Sequence, residues 1–516
     1  MTVQFLLTNT NRKSNQKGNI MITKNKIYQA IVISLIFTSP VKAEIKDNKD
    51  IKAGVQLARE WVKAQLKYDG VPGASVAVVH DQDVIWSQGF GYSRIKGKVK
   101  ATADTQYSVC SVSKLFTSIG VMQLRDKNKL SLDAPIGSIL PWYKMPQHEN
   151  QEEPVTLRNI LSHVSGLPRE AVTPYWTDIN FPTQKTLQQG TGKQHPLYKP
   201  YERFQYSNLG LSLAGEAIAE TSGTDFHSYI KYNILEPLNM SNTTSELPVE
   251  EYGKSFAAGY QLRDANGKRK EVGPYKVNGV APAAGFASSV NDLAKFASWQ
   301  FKLLENGGEE VLKSTTLREM QRVHWTAPDM DGATWGLGFA LWQDNNKTFV
   351  GHGGYCPGYR TSYVTRLQDK LAIIVIVNVN DVSPSTLADG IGSLLAPAIK
   401  NAAKNKSEDV IDKVTANSDK NDSLKTYDMS IYEGIYGKQG MPFSVAIAAT
   451  TTGLKGIDLF DDKPNRRPLK LKHEEGHTFR VMSRNDDELH TLRFETNEDG
   501  KVIRFWEHGQ YAERLQ

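Results

Sequence analysis

Strand patterns stand at both ends of one long segment of the chain, and helical patterns lie between them. Residues 71–79 are rich in valine and alanine, and a polar turn at residues 80–83 separates them from a second strand at residues 84–86. After the helices, strands are predicted again at residues 336–342, 363–366 and 371–379. This order predicts an α/β fold of the α+β type, in which helices pack on an antiparallel sheet whose strands come from both ends of one domain.

The intervening helices are predicted from apolar side chains that recur at three- and four-residue intervals. One helix begins near Ser111 and includes Leu115 and Ile119. Two more are predicted at residues 209–221 and 290–304, and each has a polar or glycine signal at one end.

The length of the chain predicts more than one domain, because 516 residues exceed the ~250–300 that one core usually serves. We assign the main domain to residues 44–398. Residues 399–429 are rich in Lys, Asn, Asp and Ser, which is typical of a linker or a solvated helix. Short alternating strands then predict a small C-terminal antiparallel β domain or barrel over residues 430–516, at positions 443–448, 456–460, 469–472, 478–482, 489–494 and 502–506.

The first 43 residues have the pattern of a secretory signal peptide. Lys24 and Lys26 precede a short apolar run at residues 27–37, and Val41-Lys42-Ala43 fits a cleavage site. The run is well short of the ~20 residues that span a membrane, so we expect no transmembrane anchor after the signal is removed. The sequence therefore predicts a secreted protein, located in the periplasm if the host is bacterial.

The charge of the chain argues against nucleic acid as a partner. Six of its 62 Lys and Arg residues lie in residues 1–43, which contain no acidic residue, so the rest has as many basic residues as its 56 Asp and Glu. The formal net charge of +6 belongs to the leader. Two cysteines are too few for a disulfide scaffold or a cysteine-rich zinc module.

A Ser-x-x-Lys motif, Ser111 to Lys114, stands at the predicted start of a helix. Positions i and i+3 share a helical face, so the amine can lie beside the hydroxyl and activate it as a nucleophile. The helix N-terminus favours the negative charge that develops in such a reaction. The motif alone is a weak signal, because residues 14–17 and 228–231 also match it.

Two further motifs follow in order, Tyr206-Ser-Asn208 about 95 residues later and His352-Gly353-Gly354 about 145 residues after that. Each motif by itself is more often structural than catalytic. Two glycines on a strand let a substrate backbone approach closely. The three motifs in this order and spacing are much harder to reach by chance.

With these motifs the sequence resembles the serine β-lactamase-like superfamily of penicillin-binding DD-peptidases, class C β-lactamases, D-aminopeptidases and related esterases. The sequence similarity extends beyond the motifs, to residues 107–114, 130–135, 155–168 and 284–294. The resemblance covers roughly residues 55–395 and implies a β-lactamase/transpeptidase-like fold. It implies an enzyme without a metal or organic cofactor.

The resemblance also implies a role for each motif residue. Ser111 would be the acyl-forming nucleophile and Lys114 its base, and Tyr206 would relay protons to the leaving group and from water. Asn208 would hold the substrate amide or the lysine. The strand of His352, Gly353 and Gly354 would bind substrate, and the backbone N–H groups of Ser111 and Tyr355 would form an oxyanion hole.

The substrate class stays open. Many β-lactamases carry Lys at the position of His352, and a histidine is only partly charged near neutral pH. We therefore expect hydrolysis of D-amino-acid peptides, amides or small esters, including peptidoglycan-derived ones, with β-lactams as the alternative. Arg360 could supply the missing cation or be an ordinary surface arginine. A non-catalytic binding module is the alternative from another class.

The two cysteines flank the implied oxyanion hole, since Cys110 precedes Ser111 and Cys356 follows Tyr355. If both amides face one oxygen, as the resemblance implies, the two thiols should be close, and we predict a Cys110–Cys356 disulfide. The arrangement resembles one in certain class A carbapenemases. Two buried free thiols are the alternative.

Several residues match patterns that can indicate a functional site but have another explanation here. His473-Glu-Glu-Gly-His477 matches a zinc signature that works only on a helix, but its flanks alternate like strands, which predicts a hairpin turn. His163 is predicted to be structural. Trp142 and Trp176 could line a pocket, although core packing is the usual role of tryptophan. Loops around residues 142–200 and 255–285 should determine specificity.

Overall fold

The computed structural model describes residues 45–516 apart from 172, 174, 329–331, 345, 416–427, 438–443, 467 and 484, and gives backbone alone for 403–415. The predicted signal segment lies outside these residues. No helix in the described part of the chain has the length and apolarity needed to cross a membrane.

The helices are distributed along the segment that precedes residue 416. They are α1 Lys49–Tyr68, α2 Ser113–Asp126, α3 Ile136–Ile139, α4 Leu157–Leu161, α5 Tyr175–Asp178, α6 Gln184–Gly190, α7 Asn208–Ser222, α8 Phe226–Ile230, α9 Ala281–Ala284, α10 Val290–Asn306, α11 Ser314–Met320 and α12 Pro384–Thr415.

The strands before residue 416 form one large antiparallel sheet and two small ones. They are β1 Gly73–His80, β2 Asp83–Arg94, β3 Val99–Lys100, β4 Tyr107–Ser108, β5 Ala287–Ser288, β6 Glu309–Glu310, β7 Leu312–Lys313, β8 Trp325–Ala327, β9 Ala333–Trp335, β10 Ala340–Asp344, β11 Lys347–Cys356, β12 Tyr359–Arg366 and β13 Leu371–Val377. The large sheet has the order β3-β2-β1-β13-β12-β11-β10-β9-β8. Strands from the two ends of the segment therefore meet at β1–β13, as the sequence predicts.

The central strands are apolar on both faces because helices cover both. Along β1, Val76 and Val78 belong to one core, which α1 and α12 complete. The alternate residues Ala77 and Val79 belong to a second core, formed with α2, α7 and α10. Successive side chains of a strand point to opposite faces, so one valine-rich strand supplies both cores. The second core places α2 and α7 behind the motif residues.

The C-terminal strands close into an eight-stranded antiparallel barrel. Its strands are β14 Gly434–Gly437, β15 Ser444–Thr450, β16 Gly453–Asp458, β17 Leu469–Glu475, β18 Thr478–Met482, β19 Glu488–Thr496, β20 Val502–Glu507 and β21 Gln510–Arg514. A separate aromatic core that includes Phe479, Phe494 and Phe505 fills it. The predicted C-terminal antiparallel β domain is confirmed as a barrel.

The barrel packs on α1, so it is tied to the first helix of the main domain. Trp61 Nε1 donates to the Asp461 carbonyl oxygen at 2.9 Å, and Gln65 Nε2 donates to the Leu459 carbonyl oxygen at 3.0 Å. The Asp50 carboxylate accepts from the amide and hydroxyl of Thr451. Barrel residues such as Ile457 share the core of α1 and α12.

The segment assigned to a linker begins inside α12. Residues 399–415 are helical, and Ile399 and Ala402 are buried against the α1 side of the sheet. These two apolar residues continue the buried face of α12, whereas the polar composition around them suggested a solvated segment. Residues 416–427 lie outside the described part, so the rest of the linker stays a prediction.

Candidate functional site

Ser111 lies in a 3₁₀ turn, Cys110–Val112, that leads directly into α2. Cys110 has a φ of 52°, in the left-handed region that non-glycine residues rarely adopt. The Ser113 hydroxyl holds the turn, because it donates to the Cys110 carbonyl oxygen at 2.5 Å and accepts from the Phe286 amide at 3.0 Å. The sequence placed Ser111 at the start of a helix, and the structure places it in the 3₁₀ turn, two residues before the first residue of α2.

Lys114 is completely buried beside Ser111. Its Nζ lies 3.2 Å from Ser111 Oγ, 2.7 Å from Asn208 Oδ1 and 2.8 Å from the Ala283 carbonyl oxygen. Burial lowers the pKa of the Lys114 amine well below its ordinary value, and the Glu170 carboxylate opposes that shift. A neutral amine here can donate two hydrogen bonds, to Asn208 and Ala283, and keep its lone pair for the Ser111 hydroxyl.

Tyr206 packs against aromatic rings and against the side chains of Lys114 and Arg169. Its ring centroid lies 4.8 Å from Lys114 Nζ and 4.8 Å from the Arg169 guanidinium carbon. The His163 ring packs at 4.3 Å between centroids. Burial raises the pKa of the Tyr206 hydroxyl above its ordinary value, and a hydrogen bond with the Ser111 side chain opposes the shift. The hydroxyl therefore carries its proton near neutral pH and can give it to a leaving group.

Asn208 is the first residue of α7, and Ser207 is the N-cap of that helix. The Ser207 hydroxyl accepts from the Gly210 amide at 2.8 Å and donates to the Pro168 carbonyl oxygen at 2.7 Å. Asn208 Nδ2 donates to Glu170 Oε1 at 2.7 Å. The Tyr-x-Asn motif is thus the start of a capped helix, which explains its place before an apolar run.

The strand β11 pairs with β12 and carries His352, Gly353, Gly354 and Tyr355. A Cβ atom on Gly354 would lie 2.4 Å from the Val109 carbonyl oxygen, whereas one on Gly353 would meet its nearest atom at 3.8 Å. Gly354 is therefore required by the close approach of β11 to the turn before Ser111. At Gly353 a Cβ atom would make only an ordinary van der Waals contact.

His352 is buried, with 6% of its surface exposed. Its Nδ1 lies 2.6 Å from the Gly353 carbonyl oxygen, so Nδ1 carries the proton and donates. Burial lowers the pKa of the ring to about 3. The sequence suggested a partly charged histidine. The buried ring is neutral, because burial removes the water that would stabilise its charged form.

The predicted disulfide is present: Cys110 and Cys356 are bonded, with Cα atoms 5.7 Å apart. It joins the residue before Ser111 to the residue after Tyr355 across 246 positions of sequence. The amides of Ser111 and Tyr355 are thereby fixed in neighbouring segments of one cleft.

The cleft has a volume of about 520 Å³, and Ser111 and Asn208 line it. Trp176, Gln261, Leu262 and Tyr355 also contribute to its walls. These residues come from β11 and from the two loop regions expected to determine specificity. Trp142 packs against the core instead, and the Arg360 guanidinium lies 5.3 Å from the exposed Tyr355 ring.

Arg169 and Glu170, which line the cleft, were not found from the sequence. They follow Gly166-Leu-Pro168, a segment already noted for its resemblance, but nothing in their own pattern indicates a site. His163, predicted to be structural, is buried and contacts Tyr206 directly, and its Nδ1 accepts from the Ser207 amide at 3.2 Å.

Within the described residues, the group of side chains that could bind a metal ion lies on the barrel and not in this cleft. His490, Glu507 and His508 form such a group on the barrel, where His490 Nε2 pairs with Glu507 Oε1 at 2.6 Å. His473 and His477 lie at the hairpin between β17 and β18, as predicted, and not on a helix. The His-Glu-x-x-His match therefore lacks the geometry of that zinc signature.

A family model described as Beta-lactamase matches residues 58–396. Protein flp of Staphylococcus aureus (strain N315) is 26% identical over 325 residues, which is 62% of each chain. Beta-lactamase-like protein 2 of Dictyostelium discoideum is 28% identical over 342 residues, 64% of this chain and 61% of that one. The match thus spans less than two thirds of the length of these relatives.

Solved structures show the same fold. The octameric penicillin-binding protein homologue from Pyrococcus abyssi is 23% identical with a TM-score of 0.58, covering 89% of this chain and 100% of that one. A D-stereospecific amidohydrolase from Streptomyces sp. has a TM-score of 0.53 at 22% identity, with coverage of 64% and 96%. EstCE1, a hydrolase with promiscuous acyltransferase activity, has a TM-score of 0.54 at 19% identity, with coverage of 67% and 99%.

Proposed function

Because the chain belongs to the beta-lactamase family, whose fold supports a serine hydrolase, we propose that it hydrolyses its substrate through an acyl intermediate on Ser111. The observation that carries the proposal is the buried Lys114 amine, 3.2 Å from Ser111 Oγ and with a lowered pKa. A neutral amine at that distance can act as the general base that serine needs.

In acylation, Lys114 takes the Ser111 proton as Oγ attacks the substrate carbonyl carbon. The carbonyl π electrons move to oxygen, and the N–H groups of Ser111 and Tyr355 stabilise the resulting oxyanion. One such donor is worth about 2.7–4 kcal/mol in the transition state. When the intermediate collapses, the bond to the leaving group breaks, and Tyr206 supplies the leaving group with a proton that Lys114 replaces.

In deacylation the same groups act in reverse on water. Tyr206 relays a proton from the attacking water to Lys114 as the water oxygen bonds to the acyl carbonyl carbon, and Lys114 later returns that proton to Ser111 Oγ. The second tetrahedral intermediate collapses with release of the acid, and Ser111 Oγ regains its proton. Asn208 holds the Lys114 amine by its Oδ1 throughout the cycle, at 2.7 Å in the structure.

For the substrate we propose D-amino-acid peptides, amides or small esters. The neutral, enclosed His352 offers no cation for a substrate carboxylate, unlike the Lys of many β-lactamases. Arg360 lies over the exposed ring of Tyr355 and is an alternative cation on this strand pair. The D-stereospecific amidohydrolase and the hydrolase EstCE1, which share the fold, support this choice of class.

We further propose that the protein is exported. The support is the basic and apolar pattern of residues 1–43 together with a disulfide, since disulfides persist in oxidising compartments. Sequencing the N-terminus of protein recovered from the periplasm tests this. We expect cleavage between Ala43 and Glu44. Protein that stays in the cytoplasm with its leader intact would contradict export.

The substrate proposal is tested with a small panel of chromogenic compounds: p-nitrophenyl acetate, D-alanine p-nitroanilide and nitrocefin. We expect hydrolysis of the ester or the D-amide by the wild-type protein and none by Ser111→Ala. Nitrocefin turnover at a higher kcat/KM than both would favour the β-lactamase alternative. Equal turnover by Ser111→Ala would contradict the acyl-serine mechanism itself.

A further inference from the structure

Asn208 connects the Lys114 amine to a carboxylate that the mechanism above does not use. On one side its Oδ1 accepts from Lys114 Nζ at 2.7 Å, and on the other its Nδ2 donates to Glu170 Oε1 at 2.7 Å. An ionised carboxylate can only accept hydrogen bonds, so it fixes which end of the Asn208 amide faces it. The remaining end, Oδ1, then has to face Lys114.

The Glu170 carboxylate is itself held in place. The Tyr175 hydroxyl donates to Glu170 Oε2, and Arg169 Nε lies 3.2 Å from Glu170 Oε1. The backbone next to Glu170 is bonded to the start of α7, because the Arg169 carbonyl oxygen accepts from the backbone N–H of Asn208 at 2.8 Å. Tyr175 is buried and packs on Phe181, with 5.1 Å between ring centroids.

We infer that Glu170 is a positioning residue, which acts through Asn208 to hold the Lys114 amine against Ser111. The inference rests on the proposed function, since it assigns Lys114 the role of base. With Oδ1 toward Lys114, Asn208 and the Ala283 carbonyl oxygen accept both hydrogens of a neutral amine, and its lone pair is left for Ser111. A flipped Asn208 would turn a donor toward Lys114 and compete for that lone pair.

Charge gives the inference a second observable. Glu170 raises the pKa of Lys114, whereas the adjacent Arg169 lowers it. Acylation needs unprotonated Lys114, so the acid limb of its rate follows the pKa of Lys114. Loss of the Glu170 charge should move that limb to lower pH, and loss of the Arg169 charge should move it to higher pH. A role limited to packing predicts neither shift.

The test measures the second-order rate of Ser111 phosphonylation by a fluorophosphonate between pH 5 and 10, which needs no knowledge of the substrate. The variants are Glu170→Gln, Arg169→Gln and Glu202→Gln. Glu202 is a matched control, because its carboxylate accepts from the Lys199 amide and lies outside the cleft lining. Glutamine preserves the shape of Glu170, and circular dichroism with thermal melting checks that each variant is folded.

We expect Glu170→Gln to lower the plateau rate by about 10-fold or more, as loss of a charge-assisted hydrogen bond does. Its acid limb should move to lower pH, that of Arg169→Gln to higher pH, and that of Glu202→Gln should not move. In an Asn208→Ala background, Glu170→Gln should cost no further rate, because the two residues act as one unit.

Three results would overturn the inference. If Glu170→Gln kept the rate and the pH profile of the wild-type protein, Asn208 would need no support from Glu170. A lower plateau with an unmoved acid limb, or a full additional loss in the Asn208→Ala background, would show that Glu170 acts through packing alone. These differ from failure of the proposed function, in which the wild-type protein would not be labelled on Ser111 at all.

Discussion

The Ser-x-x-Lys segments that begin at Ser111 and at Ser228 have the same spacing and opposite surroundings. Lys114 is fully buried between Ser111, Asn208 and Ala283. Lys231, three residues after Ser228, has 58% of its side chain exposed, and its amine lies 3.8 Å from Glu236. Burial lowers the pKa of Lys114 and makes it a candidate base, whereas Lys231 lies on the surface and has no such environment. The motif therefore specifies a spacing, and the fold supplies the chemistry.

The largest difference between the two segments should appear when the serines are removed. We expect Ser111→Ala to lower kcat by at least about 10⁴-fold, because the attacking atom is lost. Ser228→Ala should leave kcat unchanged. Both are measured on whichever chromogenic substrate the wild-type protein turns over. A similar loss in both variants would remove the distinction drawn here.

Removal of the lysines is the next comparison. Lys114→Ala should lower kcat by about 10²–10⁴-fold, the usual contribution of a general base. Lys231→Ala should have no effect on kcat, since its amine is on the surface. Steady-state kinetics measures both. Full activity of Lys114→Ala would assign the base to another group.

The Ser111 segment also packs against β11. Glycine substitutions in β11 test how much catalysis depends on the close approach of the two segments. Gly354→Ala should slow turnover by about 10²-fold, because a Cβ 2.4 Å from the Val109 carbonyl oxygen displaces one side of the oxyanion hole. Gly353→Ala, where the added Cβ atom would make only an ordinary van der Waals contact, should cost much less. Equal effects in kcat would show that the close approach of β11 does not matter to catalysis.

The disulfide should have the smallest effect on catalysis and a clear effect on stability. It joins two positions that are 246 apart in sequence beside the cleft, and the Ser228 segment has no such link. The Cys110→Ala/Cys356→Ala double variant should lose about 2–5 kcal/mol of unfolding free energy. Urea unfolding measures it, with the reduced wild-type protein as a second comparison. Unchanged stability in both would mean that the packing alone holds the cleft.

The sequence predicts the elements that depend on local pattern. The periodic helices at residues 209–221 and 290–304 correspond closely to α7 and α10. The alternating barrel strands and the hairpin at residues 473–477 follow the pattern too. The resemblance, rather than any local rule, led to the Cys110–Cys356 disulfide.

What the sequence does not predict depends on contacts between distant segments. α1 was not predicted, and its long contact with α12 joins residues more than 300 positions apart. Arg169 and Glu170 enter the site only because the loop after Pro168 is tied to the start of α7. The neutral state of His352 follows from burial, which a motif does not contain.

The most direct test of the central claim is to locate a covalent adduct. The protein is incubated with a fluorophosphonate and, separately, with a fluorescent penicillin, then digested, and the modified peptide is sequenced by mass spectrometry. The account predicts phosphonylation of Ser111 in wild-type protein and none in Ser111→Ala, with Ser228 unmodified in both. A penicillin adduct on Ser111 would add DD-peptidase-like acylation to the same site. An adduct on Ser228, or no mass added to Ser111 by either reagent, would contradict the account.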